Sequence, residues 1–332
     1  MDYRVEPESE GLRLDIEALD KADLRLIGGE VSLAGTSSPP RLEVDGVTDE
    51  AVMVRLDGGE LTVEQPAMFA GRRVRPRATV TLTMPPAAPA AVRTESAALV
   101  AAGLGGEMSF STVSGELAGT CLSGDVRART ISGEVALDGV AGRLHVESVS
   151  GPVTVVGGLV QELVIGTVTG EVVADLDPRP GARCTCRTAS GPVTVRLPAD
   201  ASAFFEAESL AGHIDVPDMA ETFEDDPPPW ARAWPGMAQA WSQTAQTWSE
   251  TARAWAGRAG DWAGHAGDWA EALVGASSRF LGDTPSTWAS GCVRGLGRVV
   301  RGRLGQGDAN LSLVTLVGDI TMVSGAPAEA VA

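Results

Sequence analysis

Long apolar runs are missing from this 332-residue chain. No window approaches the roughly 20 apolar residues that a membrane-spanning helix needs. The first residues, MDYRVEPESEGLRLDIEALD, are charged from the second position and hold no apolar core of a secretion signal. The chain is therefore expected to be cytoplasmic, with a peripheral place at the inner face of the membrane open to it. Cysteine is scarce. Cys121, Cys184, Cys186 and Cys292 show no C-x-x-C spacing and no disulfide framework. Cys184 and Cys186 fall on one face of a strand, and they read as buried small apolar side chains rather than a redox or metal pair.

Clusters of basic residues are missing too. The net charge is −18, and up to Asp225 there are 18 basic against 35 acidic residues, with 8 against 9 beyond. An acidic body of this kind repels nucleic-acid phosphates, whose binding needs grouped Lys and Arg. Catalytic signatures are absent: no G-x-x-x-x-G-K-[ST], G-x-S-x-G or H-E-x-x-H occurs. His145, His213 and His265 stand apart, which speaks against zinc. Acids are spread one per repeat, whereas sugar-cleaving sites need a local pair. No enzymatic activity, cofactor, metal or small-molecule substrate is expected.

What the chain has is repetition. From Gly106 it reads, in nines, GEMSFSTVS, GELAGTCLS, GDVRARTIS, GEVALDGVA, GRLHVESVS, GPVTVVGGL. Looser copies begin at Gly29, Gly59, Gly170, Gly191, Gly212 and Gly318. VTLTMPPAAPAAVRTES (80–96) also aligns with VTVRLPADASAFFEAES (193–209) without a gap, so two sections end a strand and cross over alike. Val135 and Leu137 point one way and Glu134 and Ala136 the other, the alternation of a half-buried strand. The Ser-Gly junctions supply corners. Four or five extended residues bury nothing alone, but stacked copies do. The spacing predicts a mainly β chain, a single β-solenoid of stacked short strands with two nonamers, or one section of 18–21 residues, per coil. A sandwich of short antiparallel hairpins satisfies the same alternation.

Glu107, Glu116, Asp125, Glu134 and Glu171 each follow a corner Gly. Stacked like charges repel unless a cation or Arg intervenes. Calcium-binding nonamers carry extra Gly and Asp in the turn, and Arg127, Arg129 and Arg143 lie close by in this sequence, so the acids read as solvated or Arg-paired edge charges.

The SGEV, SGDV and TVSG-type runs, with the V-x-L-P closing element, resemble the bacterial β-strand-repeat "putative adhesin" family of unknown function. The resemblance runs from Arg25 to Val216 and resumes over Asn310–Ser324. It implies repetitive β structure without catalytic residues, and for some members a link to envelope stress. Surface display would need an export signal, so that part of the family label is not transferred.

Aromatic residues are few, one Tyr and six Phe, yet Trp234, Trp241, Trp248, Trp255, Trp262 and Trp269 fall on a strict heptad. Ala238, Ala245, Ala252, Ala259 and Ala266 take the position four residues on, with Leu273 last. The spacing predicts a long inserted Trp/Ala-heptad helix, entered after the Pro-rich 223–236 linker. Its indoles need cover. The chain's own strands, a second copy of the helix in a coiled coil, or a lipid interface could give it. A lipid-bound helix should be rich in Lys and Arg, yet residues 230–275 hold three Arg against four acids. Farther on, Val293, Leu296, Val300 and Leu304 share a helical face, opposite Arg294, Arg298, Arg301 and Arg303. Those arginines could touch an anionic surface or pair with the acidic body.

The expected organisation is a repeat body (1–222), the linker (223–236), the Trp helix (237–275) and an Arg/Gly-rich segment (276–306). Returning strands (307–325) and a tail (326–332) complete it. The expected role is a non-enzymatic scaffold that binds protein, either itself or another chain, and the resemblance implies a tie to envelope stress. The alternative is a peripheral membrane-associated sensor.

Overall fold

The computed structural model describes residues 1–7, 9–66, 76–217, 220–223 and 298–325. The Trp heptads and Arg294 lie outside these residues, as does almost all of a second unit comprising residues 223–297.

The alternating pattern becomes strand after strand. The chain opens with β1 (Asp2–Val5), β2 (Leu12–Asp15), β3 (Lys21–Leu26) and β4 (Gly29–Gly35). Next come β5 (Arg41–Thr48), β6 (Val52–Asp57), β7 (Glu60–Glu64) and β8 (Arg77–Met84). The regular repeats supply β9 (Ala90–Thr94), β10 (Ala98–Ala102), β11 (Glu107–Thr112), β12 (Leu117–Thr120), β13 (Ser123–Thr130), β14 (Val135–Asp138) and β15 (Ala141–Ser148). β16 (Val153–Thr167), β17 (Val172–Leu176), β18 (Arg183–Ser190) and β19 (Val193–Leu197) follow. β20 (Ala203–Ala211), β21 (Ile214–Asp215), β22 (Glu221–Phe223), β23 (Arg298–Leu304), β24 (Ala309–Val317) and β25 (Ile320–Ser324) complete the described strands.

Regular strands pair in parallel with the strand two nonamers away. Leu99 faces Leu117, which faces Val135, which faces Val153. The alternate units form another ladder, in which Met108 faces Val126 and Val126 faces Leu144. The first ladder runs β1-β6-β7-β3-β9-β11-β13-β15-β16-β18-β24-β20-β23. The second runs β2-β5-β8-β4-β10-β12-β14-β16-β17-β19-β25-β21. Because β16 belongs to both, they form one sheet whose inward side is continuously apolar, with Phe110, Phe205, Leu33, Leu82, Leu99 and Leu117 fully buried.

This architecture corrects the expected solenoid carrying a long inserted helix. Every described element is a strand, in a single 25-stranded, nearly closed barrel-like sheet, and neither helix nor coiled coil occurs among the described residues. Antiparallel strands close the ends: β5 on β8, β6 on β7 and β23 on β20. A uniform period does not report how a stack of rungs ends, and bare parallel edges would template aggregation. The expected helical face through Val300 and Leu304 is likewise a strand. Val300, Gly302 and Leu304 turn inward from β23, and Arg301 and Arg303 alternate with them.

Strand order also departs from chain order. β24 and β25 lie between β18/β19 and β20/β21. Near the other end, β3/β4 lies between β7/β8 and β9/β10. Two of the links that step over a rung, 85–89 and 198–202, follow the repeated closing element ending at Pro85 or Pro198. The shared sequence therefore marks a step of about 10 Å along the stack instead of about 5 Å.

The corners explain the invariant composition of the repeats. Thr112 and Thr130 are buried, and their hydroxyls accept the amide protons of Gly115 and Gly133. Ser148 donates instead to the Gly151 carbonyl at 2.8 Å. One residue before each Gly, Ser114, Ser132 and Ser150 donate to carbonyls on the preceding rung. The glycines stack so closely that a Cβ on Gly133 would enter the carbonyl oxygen of Gly115, and one on Gly151 that of Gly133.

Candidate interaction surface

The two ladders present different outer faces. On the first, acids and arginines from neighbouring strands meet. Asp125 lies 3.1 Å from Arg143 and 3.4 Å from Arg127, which also reaches Glu107 at 2.9 Å. Asp23 is shared by Arg25 and Arg93. Of the acids after corner glycines, Glu107 and Asp125 are thus Arg-paired, as one reading of the sequence had it.

Glu147 is the most enclosed acid of this stretch, with its side chain 8% exposed, 2.6 Å from Arg129 and 3.0 Å from His145. Burial pushes its carboxyl up, but the hydrogen bond to His145 and the Arg129 charge outweigh that and hold it below the ordinary carboxylate range. A depressed folded-state pKa adds stability that is complete above the unfolded value of about 4.3 and is lost as pH falls through the folded value. Glu147→Gln should therefore flatten the fall of the urea midpoint between about pH 5 and pH 3. An unchanged slope would show that this carboxylate does not contribute to acid sensitivity.

The Arg-rich segment joins the same face. Arg301 lies 2.6 Å from Glu206, whose side chain is 5% exposed. Arg298 meets Nδ1 of His213 at 2.9 Å. Arg303 follows on the same side of β23. Arg298 and Arg301 are thus engaged within the acidic body. Burial and the neighbouring Glu206 push the Glu208 carboxyl up, with Arg301 opposing. Cys184 and Cys186 are buried on the inner side of β18, and burial pushes the Cys184 thiol up to about 12. Among the described residues no group of three or more His, Cys, Asp or Glu could hold a metal ion, and no helix is long and apolar enough to cross a membrane.

The second ladder's outer face is uncharged along its middle. Val100, Ala118, Ala136, Thr154, Val173 and Thr194 occupy the same outward position on six successive rungs. Ser32 and Thr321 extend the row. Val100 is 40% exposed. One edge of this stripe is acidic: Glu30, Glu116, Glu134 and Glu171 are exposed and none has an ion-pair partner among the described residues. The opposite edge carries Asp138 and an Asp175–Arg196 pair. The sequence signal for this face was the fourth residue of the nonamer, which alternates Ser109, Ala118, Arg127, Ala136, His145, Thr154.

No protein-family model matches this chain, and no curated protein matches it. The resemblance carried by the SGEV-type runs therefore has no family match behind it. Solved structures similar to the chain include a "putative cell adhesion protein" from Clostridium sporogenes. It shares 10% identity and a TM-score of 0.27, over 95% of this chain and 99% of that one. A "putative lipid binding protein" from Parabacteroides distasonis has 15% identity and a TM-score of 0.39, over 57% and 82%. A "putative adhesin" from Bacteroides fragilis has 10% identity and a TM-score of 0.35, over 57% and 90%. Likenesses at these TM-scores carry no argument for what the present chain does.

Proposed function

We propose that this protein works as a non-enzymatic scaffold that binds another macromolecule. The observation behind this is the division of charge between the two faces. The first ladder pairs Asp23, Glu107, Asp125, Glu147 and Glu206 with arginines across its face, whereas the middle of the second leaves an uncharged stripe open to solvent in a chain of net charge −18. An uncharged centre with a polar edge is the anatomy of a protein interface. The pairing of Arg301 with Glu206 and the contact of Arg298 with His213 count against a role for these two residues in holding an anionic lipid surface. In this proposal the six tryptophans from Trp234 to Trp269 supply a second contact element, for self-association or for cover within the chain.

Position-specific photo-crosslinking in cells tests the reading. Val100 and Ser109 are both exposed and lie on consecutive strands, β10 and β11, of opposite ladders. A photoreactive side chain at Val100 should give discrete protein adducts, and one at Ser109 should not. Adducts from neither position, or equal adducts from both, would contradict the proposal.

A further inference from the structure

We infer that the outer face of the second ladder is the docking site of an amphipathic helix from a partner protein, with Lys or Arg along one flank. This rests on the reading of the protein as a binding scaffold, and it names the chemistry of the partner. The first observation is a match of spacing. From Glu30 to Asp319 the acidic edge crosses seven rung-to-rung steps, through β4, β10, β12, β14, β16, β17, β19 and β25. At about 4.8 Å per step that is about 34 Å, the length of about 22 helical residues. Ala98, Pro152 and Pro192 take the edge position on intervening rungs, so most neighbouring acids are two rungs, or about 10 Å, apart. Residues seven apart on a helix are separated by about 10.5 Å. A helix laid along the stack could therefore offer one cation to nearly every edge acid while its seam rests on Val100, Ala118, Ala136, Thr154 and Val173.

The second observation concerns charge. Glu116 and Glu134 sit on adjacent rungs, about 5 Å apart, with no cation between them. Both are exposed, so solvent screens much of their repulsion, and a positive group docked beside them would relieve the rest. A second copy would offer little of it: on the same face Arg13, Arg41 and Arg196 are paired with Glu43, Asp15 and Asp175, and Arg77 stands on β8, beyond the end of the acidic edge. The small side chains at Ala118 and Ala136 let a helix approach the sheet closely, which larger residues would prevent.

The probe is a labelled synthetic helix of 22 residues with a Leu/Ala seam and Lys at every seventh position on one flank. Its binding to the full chain is followed by fluorescence anisotropy. Two control peptides carry Glu in place of those Lys, or the same composition scrambled. The Lys helix should bind saturably and the controls should not. Val100→Lys/Thr154→Lys, both outward-facing changes, should weaken it roughly tenfold. Glu116→Gln/Glu134→Gln should weaken it about fivefold, and Glu107→Gln on the other face should leave it unchanged. Equal binding of the scrambled peptide, or equal loss from Glu107→Gln, would overturn the inference by showing only general attraction to an acidic body. Self-association of the chain lost on Val100→Lys/Thr154→Lys would overturn it in favour of a second copy. If crosslinks form at Val100 but the Lys helix does not bind, the partner chemistry is wrong and the scaffold reading stands.

Discussion

Gly133→Ala is expected to destabilise the fold by about 3 kcal/mol or more, in the upper range for overpacking a rigid site. The reason is backbone stacked on backbone. The added methyl would enter the Gly115 carbonyl oxygen and crowd the Thr130 hydroxyl that accepts the Gly133 amide proton. Gly115 is in turn pressed on the Ala97 carbonyl, so the corner cannot move without shifting its neighbours. Gly166→Ala is the control. Nothing lies within 4 Å of the position its methyl would take, and it should be neutral or stabilise by about 0.5 kcal/mol through the unfolded chain. Chemical denaturation of both variants checks the pair. Equal midpoints would show that the corners are not close-packed.

Leu313→Asp should be at least as damaging, costing more than about 4 kcal/mol, as expected for an unpaired charge placed in a core. Its position in the sequence would not suggest this, because segments near a chain end commonly tolerate change. Leu313 is nevertheless fully buried, with Cys186 on one side and Ala207 on the other. The strand that carries it is flanked on both sides, by β18 and β20, although it is the second-last described strand of the chain. Val317→Asp, on the same strand but 48% exposed, should change stability by no more than about 0.5 kcal/mol. Comparable losses from the two variants would mean that the last strands lie at an edge.

Much of the body could be read from the sequence because the nonamer states its own geometry. Alternation put Val135 and Leu137 inside, and the burial of Cys184 and Cys186 followed from the same rule. The return of the chain to the repeat at Asn310–Ser324 was also visible, but its place was not. β24 and β20 carry equally good inward residues, Leu311 and Leu313 against Phe205 and Ala207, so periodicity alone cannot say which one stacks on β18. The same limit concealed the antiparallel strands at the ends. In RVVRGRL the helical reading counted Val300 and Leu304 four apart. The period-two set of Val300, Gly302 and Leu304 was hidden because Gly was not scored as an inward residue. The uncharged face was missed for a similar reason. Nonamers read in series show a mixture of Ala, Thr, Arg and His at the fourth position, and only every second unit shares a face. The heptad tryptophans remain outside the described residues.

The division of the surface into a self-paired face and an open one depends on the order of the rungs, and paired cysteines test that order most directly. Parallel neighbours lie about 4.8 Å apart, within disulfide reach, while residues two rungs apart exceed the limit of about 7 Å. Thr194 faces Thr321, which faces Asp215 on the next rung. Thr194→Cys/Thr321→Cys should oxidise to an intramolecular disulfide, and Thr194→Cys/Asp215→Cys should remain reduced. The reverse result would place β21 directly on β19 and contradict the account.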